Sequence, residues 1–538
     1  MCGIVGYVGD RDCADVLVDA LSKLEYRGYD SAGIAVVEKG VIKVEKCKGR
    51  LANLVDKMAV DGKPQGHCGI GHTRWATHGE PSDINSHPHG NKRVSIVHNG
   101  IIENYKQIKD FLIEEGYSFV SETDTETVAK LLDYYYVDDP VDTIIKVLSE
   151  IKGSYALGIM FRDYPDTVFA VRKECPLIVG VGENENFLAS DVPAIIKYTR
   201  DYYLLEANEI AVVKKDSVQI YDMHKEPVHK EINTADWDVD AAEKGGYEHF
   251  MLKEIHEQPA AVRDTVSPRI INGMPDLSQD GVDMQKLKDY RQIFIVACGT
   301  AMHAGMVGIE KLARKPVIVD IASEFRYRDP IITKDDLMIV ISQSGETADT
   351  MAVLRLAKEV GAATLAVVNV VGSSIAREAD MVIYTHAGPE ISVASTKAYM
   401  VQISVMYLLA FELAYANGTI DKERCMELTA QLGQMPDIIR ETLELKDTCS
   451  FVASKLVNAE SLLYIGRGLD YALSMEGSLK LKEISYIHSE SYAAGELKHG
   501  TISLITEGMP VIAVATQKKL IEKTVSNIRE VKARGAMV

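Results

Sequence analysis

The sequence predicts an α+β domain of stacked layers followed by two doubly wound α/β modules, the second of them incomplete. The chain has 538 residues, which is too many for a single hydrophobic core. Up to about residue 220, short apolar runs alternate with glycine and polar turns, a pattern typical of strands. From residue 290 onward the order becomes apolar strand, glycine or serine turn, then helix, which favours doubly wound parallel sheets.

The first domain is predicted to cover residues 2–218. Its apolar runs have the length of strands, and two amphipathic patterns interrupt them. Residues 219–285 are predicted to be a linker and the entry to the second half, because the sequence between about 215 and 250 is charged and aperiodic. Strands are predicted at Gly3–Val8, Gly33–Val37 and Val94–Val97, and helices at Cys13–Leu24 and Asp124–Tyr136.

The second half repeats one module, predicted at residues 286–426 and 459–538. In the second copy the chain ends at Val538, where a core strand should begin. A parallel sheet without an interior strand leaves buried backbone groups unpaired, at ~1–3 kcal/mol each, so we expect a truncated or incompletely recorded C-terminus. The matching strand and turn segments are 291–299 with 461–468, and 337–343 with 510–517.

Composition excludes several classes of protein. The formal net charge of −19 disfavours nucleic acid as the main partner. No stretch approaches the ~18 uninterrupted apolar residues of a membrane span, and the acidic first twenty residues do not form a signal peptide. The eight cysteines contain no C-x-x-C pair, which indicates reduced thiols in a cytoplasmic protein.

Cys2 is a candidate nucleophile. After removal of Met1 it would carry both a thiol and an α-amine, and an amine with a reference pKa of ~7.7–8.0 can serve as the base for that thiol. No separate catalytic histidine is then required. Taken alone, however, a cysteine at position 2 is usually inert.

Four motifs in order resemble the glutaminase domain of class II amidotransferases. The resemblance implies an N-terminal nucleophile domain with αββα layers, in which Cys2 attacks the side-chain carbonyl of glutamine. Asn99 and Gly100 would donate to the resulting oxyanion, and one such donor contributes ~3–4 kcal/mol in other enzymes. The motifs are Met1–Gly6, Tyr26–Ser31, Gly71–Gly79 and His98–Asn104.

The same resemblance implies the remaining groups of a glutamine pocket. Arg74 offers a guanidinium fork for the carboxylate of glutamine, and Asp124 offers a counter-charge for its ammonium group. Trp75, which follows Arg74 directly, is a candidate gate. The other side chains implied to line the pocket are Thr77, His78 and His87.

Each of these residues also has an ordinary structural explanation. An Asn99–Gly100 pair is typical of a hairpin turn, and Asp124 is typical of a helix cap. Six of the fourteen histidines lie between residues 67 and 98, and His78–Glu80 imitates the H-x-E of zinc deaminases. The required P-C-x-x-C is absent, so no metal is predicted.

A second site is predicted at the segment 341–347, Ile-Ser-Gln-Ser-Gly-Glu-Thr. It lies between an apolar strand and a helix, where backbone N–H groups and the helix dipole favour phosphate. Gly299 and Thr300 lie at the equivalent turn of the preceding strand and could converge on the same anion. A helix N-terminus rich in capping residues is the ordinary explanation. The side-chain donors are Ser342, Gln343, Ser344 and Thr347.

These turns resemble sugar isomerase (SIS) modules, and their tandem arrangement behind a glutaminase domain resembles the glutamine–fructose-6-phosphate aminotransferase family. The resemblance covers essentially the whole chain, including the segments 244–259, 393–398 and 481–500. It implies glutamine and fructose 6-phosphate as substrates, a shielded passage for ammonia, a homodimer, and no metal or organic cofactor.

The helix predicted at Ser474–Tyr486 places Glu476, Lys480 and Glu483 on one face, where an exposed salt-bridged stripe is the ordinary explanation. The resemblance instead makes Glu483 the base that moves a proton between C1 and C2 of the sugar, and makes His499 the residue that helps to open the ring. The side chains implied to line the sugar are Lys480, Val393 and Ser395.

Two departures from the family pattern qualify this interpretation. Ala301 stands where many relatives carry serine, so one phosphate hydroxyl is lost. The family's C-terminal tail, with its Schiff-base lysine, is not in this sequence, which puts synthase activity in doubt. Two alternatives stay open. One is another class II amidotransferase, of the phosphoribosyl-pyrophosphate or asparagine-forming type. The other is a truncated fragment or regulator that retains glutaminase activity or phosphosugar binding without synthase activity.

Overall fold

The computed structural model describes residues 2–25, 28–235, 244–306 and 309–538. The motif predictions on Met1, Tyr26 and Arg27 lie outside these ranges. The chain separates into two compact units, Met1–Glu243 (unit 1) and Lys244–Val538 (unit 2).

Unit 1 contains fourteen strands and five helices among its described residues. In chain order they are β1 Gly3–Gly9, α1 Cys13–Ser22, β2 Ser31–Glu38, β3 Val41–Lys48, α2 Leu51–Asp61, β4 Cys68–Arg74, β5 His89–Gly90, β6 Val94–Ile102, α3 Tyr105–Glu114, α4 Asp124–Tyr135, α5 Pro140–Leu148, β7 Gly153–Phe161, β8 Val168–Lys173, β9 Ile178–Val181, β10 Glu185–Ala189, β11 Asp201–Leu204, β12 Ile210–Lys214, β13 Ser217–Tyr221 and β14 Asn233–Thr234.

Two antiparallel sheets lie face to face in unit 1, in the orders β14-β11-β9-β10-β1-β4-β2-β3 and β13-β12-β8-β7-β6-β5. Ile4 and Ile70 of the first sheet pack with Val97 and Ala156 of the second in one buried cluster. Helices α1 and α2 cover the outer face of the first sheet, and α3, α4 and α5 cover that of the second. The predicted αββα layers are confirmed.

The central strand β1 shows why its sequence is a continuous apolar run. Ile4 and Val8 face the second sheet, whereas Val5 and Tyr7 face the layer that contains α1. Because side chains alternate along a strand and both faces are covered, every position must be small or apolar.

Two predictions for unit 1 are wrong. The sequence indicated two helices, but α2, α3 and α5 form as well. Helix α2 buries only three residues, so its apolar pattern is sparse. The charged stretch that begins near residue 215 is not a pure linker, because Ser217–Tyr221 forms β13, which pairs antiparallel with β12. It is an edge strand with mostly exposed or half-exposed side chains, which hides it from a hydrophobicity pattern.

Unit 2 is built mainly from helices around parallel strands. In chain order its elements are α6 Phe250–Val266, β15 Ile270–Ile271, β16 Met274–Pro275, α7 Met284–Leu287, β17 Ile293–Ala297, α8 Gly299–Gly305, α9 Ile309–Ala313, β18 Val317–Ile321, α10 Ala322–Phe325, β19 Leu337–Ser342, α11 Ala348–Glu359, β20 Ala363–Val368, α12 Ser374–Glu378, β21 Met381–Tyr384, α13 Lys397–Ala416, α14 Lys422–Gly433, α15 Met435–Leu443, α16 Lys446–Ser454, β22 Ser461–Gly466, α17 Leu469–Ser485, β23 His488–Ala493, β24 Val511–Ala513 and α18 Ile521–Lys532.

The two modules of unit 2 share one strand plan. The first has five parallel strands in the order β18-β17-β19-β20-β21, and the second has three in the order β23-β22-β24. In each module the strand that comes first in sequence, β17 or β22, lies between the next two strands of that module. The predicted repeat, with a smaller second sheet, is confirmed. Next to β24, Met537 makes a single parallel bridge with Pro510.

The first sheet is doubly wound, as predicted. Along β17, Ile293 and Ile295 pack in the layer that contains α13, while Phe294 and Val296 pack on the opposite face with α11. Helix α13 is long and apolar enough to cross a membrane by length and composition, and 72% of its most apolar window is buried inside the structure. A helix that is apolar on all sides is typical of a protein core.

The strand register brings two predicted sugar-site turns together. Ala297 at the end of β17 pairs with Ile341 near the end of β19, so the turns at Gly299 and Ser342 leave the same edge of the sheet. This edge, at the carboxyl ends of parallel strands, is where ligands bind in such folds.

Candidate active site

Cys2 lies at the start of β1 and contacts the segment that follows β4. Its Sγ accepts a hydrogen bond from the backbone N–H of Trp75 at 3.2 Å. Burial raises the pKa of the Cys2 thiol, and the Trp75 N–H opposes that shift. The thiol therefore needs a base to become a nucleophile, and the α-amine that removal of Met1 would expose could supply one.

Asn99 and Gly100 lie inside β6, paired with Ala156 and Tyr155 of β7. The hairpin-turn alternative is therefore wrong. Asn99 donates from its side-chain amide to the backbone oxygen of Cys2 at 3.0 Å, so the predicted oxyanion donor is within reach of the nucleophile. Gly100 has φ of +120°, and a Cβ there would lie 2.1 Å from the Ser154 oxygen, so only glycine fits.

His72 holds the amide of Asn99 in this orientation. Nε2 of His72 lies 3.0 Å from the Asn99 side-chain oxygen, which can only accept, so this nitrogen carries the proton. Burial lowers the pKa of His72 to about 3, and the ring is neutral at working pH. With its oxygen engaged by His72, the Asn99 amide presents its NH₂ group to Cys2.

A second histidine layer supports His72. The His87 ring stacks on it with ring centres 4.1 Å apart, and the backbone N–H of His98 donates to Nδ1 of His87 at 3.3 Å. Nδ1 of His98 lies 3.0 Å from the hydroxyl of Thr125. Burial lowers the pKa of both His87 and His98 below the ordinary range. His87 is therefore buried behind His72, and its predicted place in the glutamine pocket stays a prediction.

Arg74 is buried at the end of β4 and retains a free donor. Its Nη2 donates to the backbone oxygens of His78 and Gly79, the latter at 3.0 Å. Its Nη1 is buried and has no hydrogen-bond partner among the described residues. Burial lowers the pKa of Arg74, and the charges of Cys2, Asp30 and Asp124 oppose that shift, so these groups share one neighbourhood. The free Nη1 suits the carboxylate predicted there.

Asp124 is the first residue of α4, and the cap of that helix is Thr123, so the helix-cap explanation for Asp124 is wrong. The Asp124 carboxylate accepts the backbone N–H of Ile102 at 2.9 Å and lies 4.0 Å from Nδ1 of His98. It is 4% exposed. A buried carboxylate can serve as the counter-charge of an ammonium group, and this role of Asp124 stays a prediction.

Three of the predicted pocket residues, Trp75, Thr77 and His78, follow Arg74 and are more exposed than it is. Trp75 is 39% exposed, with its ring edge-on to Tyr29 at 5.5 Å. Thr77 is exposed and lies 3.4 Å from Nδ1 of His78, so its role as a glutamine ligand stays a prediction. His78 contributes its backbone oxygen to Arg74, while its ring packs against Tyr105.

In unit 2 the segment 342–347 folds as a compact turn before α11. The Ser342 hydroxyl accepts the N–H of Gly345 at 3.1 Å and lies 2.9 Å from the Thr347 hydroxyl. The backbone N–H groups of Ser344 and Thr347 have no hydrogen-bond partner among the described residues. Gln343 is held by its backbone oxygen, which accepts from Asn369 at 3.1 Å. The turn leaves donors available for an anion.

In the second module, the turn that corresponds to 342–347 is occupied by a carboxylate of the protein itself, that of Asp470. Gly299 and Gly468 have φ of +55° and +57°, and two residues beyond them stand Ala301 and Asp470. Asp470 is 2% exposed and accepts the Thr516 hydroxyl at 2.5 Å and the Thr516 N–H at 3.0 Å. Among the described residues, the first module has the methyl group of Ala301 and unbonded N–H groups at this place, whereas the second has the carboxylate of Asp470.

The predicted stripe on α17 forms and reaches α8 of the first module. Lys480 Nζ lies 2.5 Å from the Glu483 carboxylate, 3.3 Å from that of Glu476 and 3.1 Å from the Thr300 hydroxyl. Glu476 in turn accepts from Thr300 at 3.0 Å and lies 2.7 Å from Nδ1 of His303. The stripe is a bridge between the modules rather than an exposed surface.

The remaining predicted sugar residues are not joined to this cluster by any contact within the described part of unit 2. Val393 is 54% exposed in the loop between β21 and α13, and Ser395 donates to Glu390 at 2.7 Å. His499 is exposed in a short 3₁₀ turn after β23. Their roles stay predictions.

Sequence reasoning missed His72, His98, Thr125 and His303. The histidine cluster between residues 67 and 98 was the available signal, but its spacing does not reveal which rings stack. Among the described residues, no group of three or more His, Cys, Asp or Glu side chains is placed to hold a metal ion.

Each of the two units matches a known domain family. Residues 72–197 match the glutamine amidotransferase domain family, and residues 286–411 and 455–538 match the SIS domain family. The two SIS matches favour the phosphosugar enzyme over the phosphoribosyl-pyrophosphate and asparagine-forming alternatives.

Whole proteins with both parts are similar along the entire chain. The glutamine–fructose-6-phosphate aminotransferases (isomerizing) of Clostridium tetani and Thermus thermophilus are 57% and 46% identical to it, over 100% of this chain and 89% of each relative. A solved structure, the C-terminal domain of glucosamine-fructose-6-phosphate aminotransferase from Francisella tularensis, aligns at 40% identity and a TM-score of 0.53. That alignment covers 55% of this chain and 84% of the other.

Proposed function

The chain belongs to the glutamine–fructose-6-phosphate aminotransferase (isomerizing) family, and from this premise we propose that it transfers the amide nitrogen of glutamine to fructose 6-phosphate. The products are glutamate and glucosamine 6-phosphate, which supplies amino-sugar biosynthesis. We assign glutamine hydrolysis to residues 2–218 and sugar conversion to the modules at 286–426 and 459–538.

In the glutaminase step, Cys2 attacks the side-chain carbonyl of glutamine after its α-amine has taken the thiol proton. The carbonyl oxygen becomes an oxyanion that accepts from the Asn99 amide and the Gly100 N–H. Ammonia leaves, and water hydrolyses the Cys2 thioester to release glutamate. Arg74 and Asp124 hold the two charged ends of glutamine during both steps.

In the sugar step, the turn at 342–347 and the Gly299–Thr300 turn bind the phosphate. Ammonia adds to C2 of the opened sugar with loss of water, and Glu483 then moves a proton between C1 and C2 to complete the ketose-to-aldose conversion. Lys480, held between Glu476 and Glu483, fixes the position of that carboxylate. His499 assists ring opening.

The observation that carries the proposal is the contact of Asn99 with Cys2. Residue 99 lies in β6, 97 positions from Cys2, and its side-chain amide donates to the backbone oxygen of Cys2 while its own oxygen is held by His72. This contact supports the assignment because it brings the predicted oxyanion donor to the residue that carries the predicted nucleophile.

Peptide mass spectrometry tests this assignment. A chloroketone analogue of glutamine should alkylate Cys2 as the N-terminal residue of an active preparation, and glutamine should protect it. Cys13 and Cys68, which are buried in the same unit, are the internal controls. Alkylation at another cysteine, or full activity with Met1 retained, would refute the role of Cys2.

Three further features are proposed with it. We place the protein in the cytoplasm, which its eight free cysteines support. We expect no nucleic-acid or membrane partner, in keeping with its negative charge. We also propose a homodimer, supported by α16, which buries no residue and exposes Phe451 and Val452. Light scattering of the wild type and Phe451→Asp would check the dimer.

A further inference from the structure

The loop between β21 and α13 is held by two carboxylates from different elements. This loop, residues 385–396, carries Val393 and Ser395. One carboxylate, Glu390, belongs to the loop, and the other, Glu254, comes from α6.

Glu390 ties the end of the loop to the start of α13. Its carboxylate accepts the Ser395 hydroxyl at 2.7 Å, the Thr396 N–H at 2.8 Å and the Ala398 N–H at 3.0 Å. The Thr396 and Ala398 N–H groups lie at the N-terminus of α13 and lack intrahelical partners, so Glu390 satisfies donors that the helix leaves open.

Glu254 holds the middle of the loop. Its Oε1 accepts the N–H groups of Ile391 at 2.6 Å and Ser392 at 3.0 Å, the two residues before Val393. Glu254 is 2% exposed, and its Oε2 is buried without a hydrogen-bond partner among the described residues. A carboxylate with an unsatisfied buried oxygen is costly, so packing alone does not explain its presence.

The charges around Glu254 come from two helices and the loop. Glu390 and Lys397 act on its charge from the loop and from α13. On α6, Glu257 lies 2.7 Å from Lys397 and 3.6 Å from Lys253, so the nearest lysines are engaged with another partner. Glu254 thus reaches the loop through backbone hydrogen bonds, and it forms no ion pair with any residue that the structure describes.

We propose that Glu254 is a positioning residue for sugar-phosphate binding, which shapes the 391–395 backbone so that Val393 and Ser395 face the sugar. The inference rests on the proposed function for the identity of the ligand. It assigns a task to the Lys253-Glu254-Ile255-His256-Glu257 motif, which the catalytic steps do not use.

Calorimetric binding of fructose 6-phosphate to the full chain, without glutamine, tests the proposal directly. Glu254→Ala should weaken binding by about tenfold or more, because two buried N–H groups lose their acceptor. Glu254→Gln keeps an acceptor oxygen and should restore most of the affinity. In turnover, Glu254→Ala should raise KM for the sugar far more than it lowers kcat, with glutamine hydrolysis unchanged.

Glu412→Ala is the matched control. Glu412 is a largely buried carboxylate of the same unit that accepts the Leu277 N–H at 3.1 Å, and no predicted sugar residue lies at that contact. Burial raises the pKa of both carboxyls to about 7. Glu412→Ala should leave sugar affinity within about twofold of the wild type.

If Glu254→Ala does not fold, the affinity of the wild type and of Glu254→Gln for fructose 6-phosphate can be measured at a series of pH values instead. Protonation of Glu254 weakens it as an acceptor, so wild-type affinity should fall as pH drops through 7, and this fall should be smaller in Glu254→Gln. Equal affinity of Glu254→Ala and the wild type, or equal loss in Glu412→Ala, would overturn the proposal. If the wild type binds the sugar but forms no amino sugar, the proposed function fails while the role of Glu254 is still decided by binding.

Discussion

The two candidate reaction centres differ in how they are built. Around Cys2, side chains from β4, β6 and α4 are linked by buried histidines whose pKa values are lowered by burial. Around Lys480, the groups come from turns and helices of two modules, and charged side chains hold them together.

This difference follows from the layers beneath each centre. Two stacked sheets fix the contacts around Cys2 by strand register. The sugar centre lies at a sheet edge, where loops and ion pairs set the geometry. We expect the first centre to be sensitive to single polar contacts and the second to be sensitive to charge.

Replacement of Glu483 by glutamine should have the largest effect, because it should abolish most amino-sugar formation and leave glutamine hydrolysis intact. The amide cannot take a proton, so amino-sugar formation should fall by about 10²–10⁴. Glutamine hydrolysis by the same preparation should stay near the wild-type rate, because Glu483 belongs to unit 2. Parallel assays of glutamate and glucosamine 6-phosphate provide the check; a similar loss of both products would contradict the division.

Asn99→Ala should damage the first centre. Loss of one oxyanion donor is expected to lower kcat for glutamine hydrolysis by about 10²–10³ with little change in KM. His72→Ala should follow it with a smaller loss, because Asn99 remains but its amide is no longer oriented. If His72→Ala leaves kcat unchanged, the histidine layer does not position the donor.

Ala301→Asp should give the first module the closed turn of the second. The new carboxylate would engage the free N–H groups of the 342–347 turn and repel phosphate, so sugar affinity should fall by about 10–100-fold. Ala301→Ser adds a hydroxyl without charge and is the control, with affinity equal to or tighter than that of the wild type. An unaffected Ala301→Asp protein would show that phosphate binds elsewhere.

The smallest expected effect is an opposite pH dependence of stability in the two units. Histidines such as His89 stay neutral when folded but gain a proton near pH 6.5 when unfolded, so unit 1 loses stability as pH falls below 6.5. Glu254 and Glu412 titrate near 7 when folded and near 4.5 when unfolded, so unit 2 loses stability as pH rises from 4.5 to 7. We would measure the melting temperature as a function of pH. Compared with the wild type, His89→Gln should lose less stability below pH 6.5, and Glu412→Gln should lose less between pH 4.5 and 7.

Much of the fold could be predicted because its strands are buried on both faces. Runs such as Ile293–Ala297 admit few other structures, and their repetition at Leu462–Ile465 exposed the second module. Helix α2 and strand β13 could not be predicted from the hydrophobicity pattern because each buries few side chains.

The candidate sites could be predicted as sets of residues but not as contacts. Motif order indicated Cys2, Arg74 and Asn99, yet the bond between His72 and Asn99 depends on the alignment of two sheets. Local sequence carries no information on such pairing. For the same reason the bond between the Ser395 hydroxyl and Glu390 could not be predicted, and the role of Ser395 at the sugar stays a prediction.

The central claim is that nitrogen released at Cys2 reaches the sugar. It is tested most directly with amide-¹⁵N glutamine and unlabelled fructose 6-phosphate, comparing the wild type with Cys2→Ala. We predict ¹⁵N in the amino group of glucosamine 6-phosphate from the wild type, and at least about 10³-fold less from Cys2→Ala, which should still bind the sugar. Equal labelling in both proteins, or release of labelled ammonia without any amino sugar from the wild type, would contradict the account.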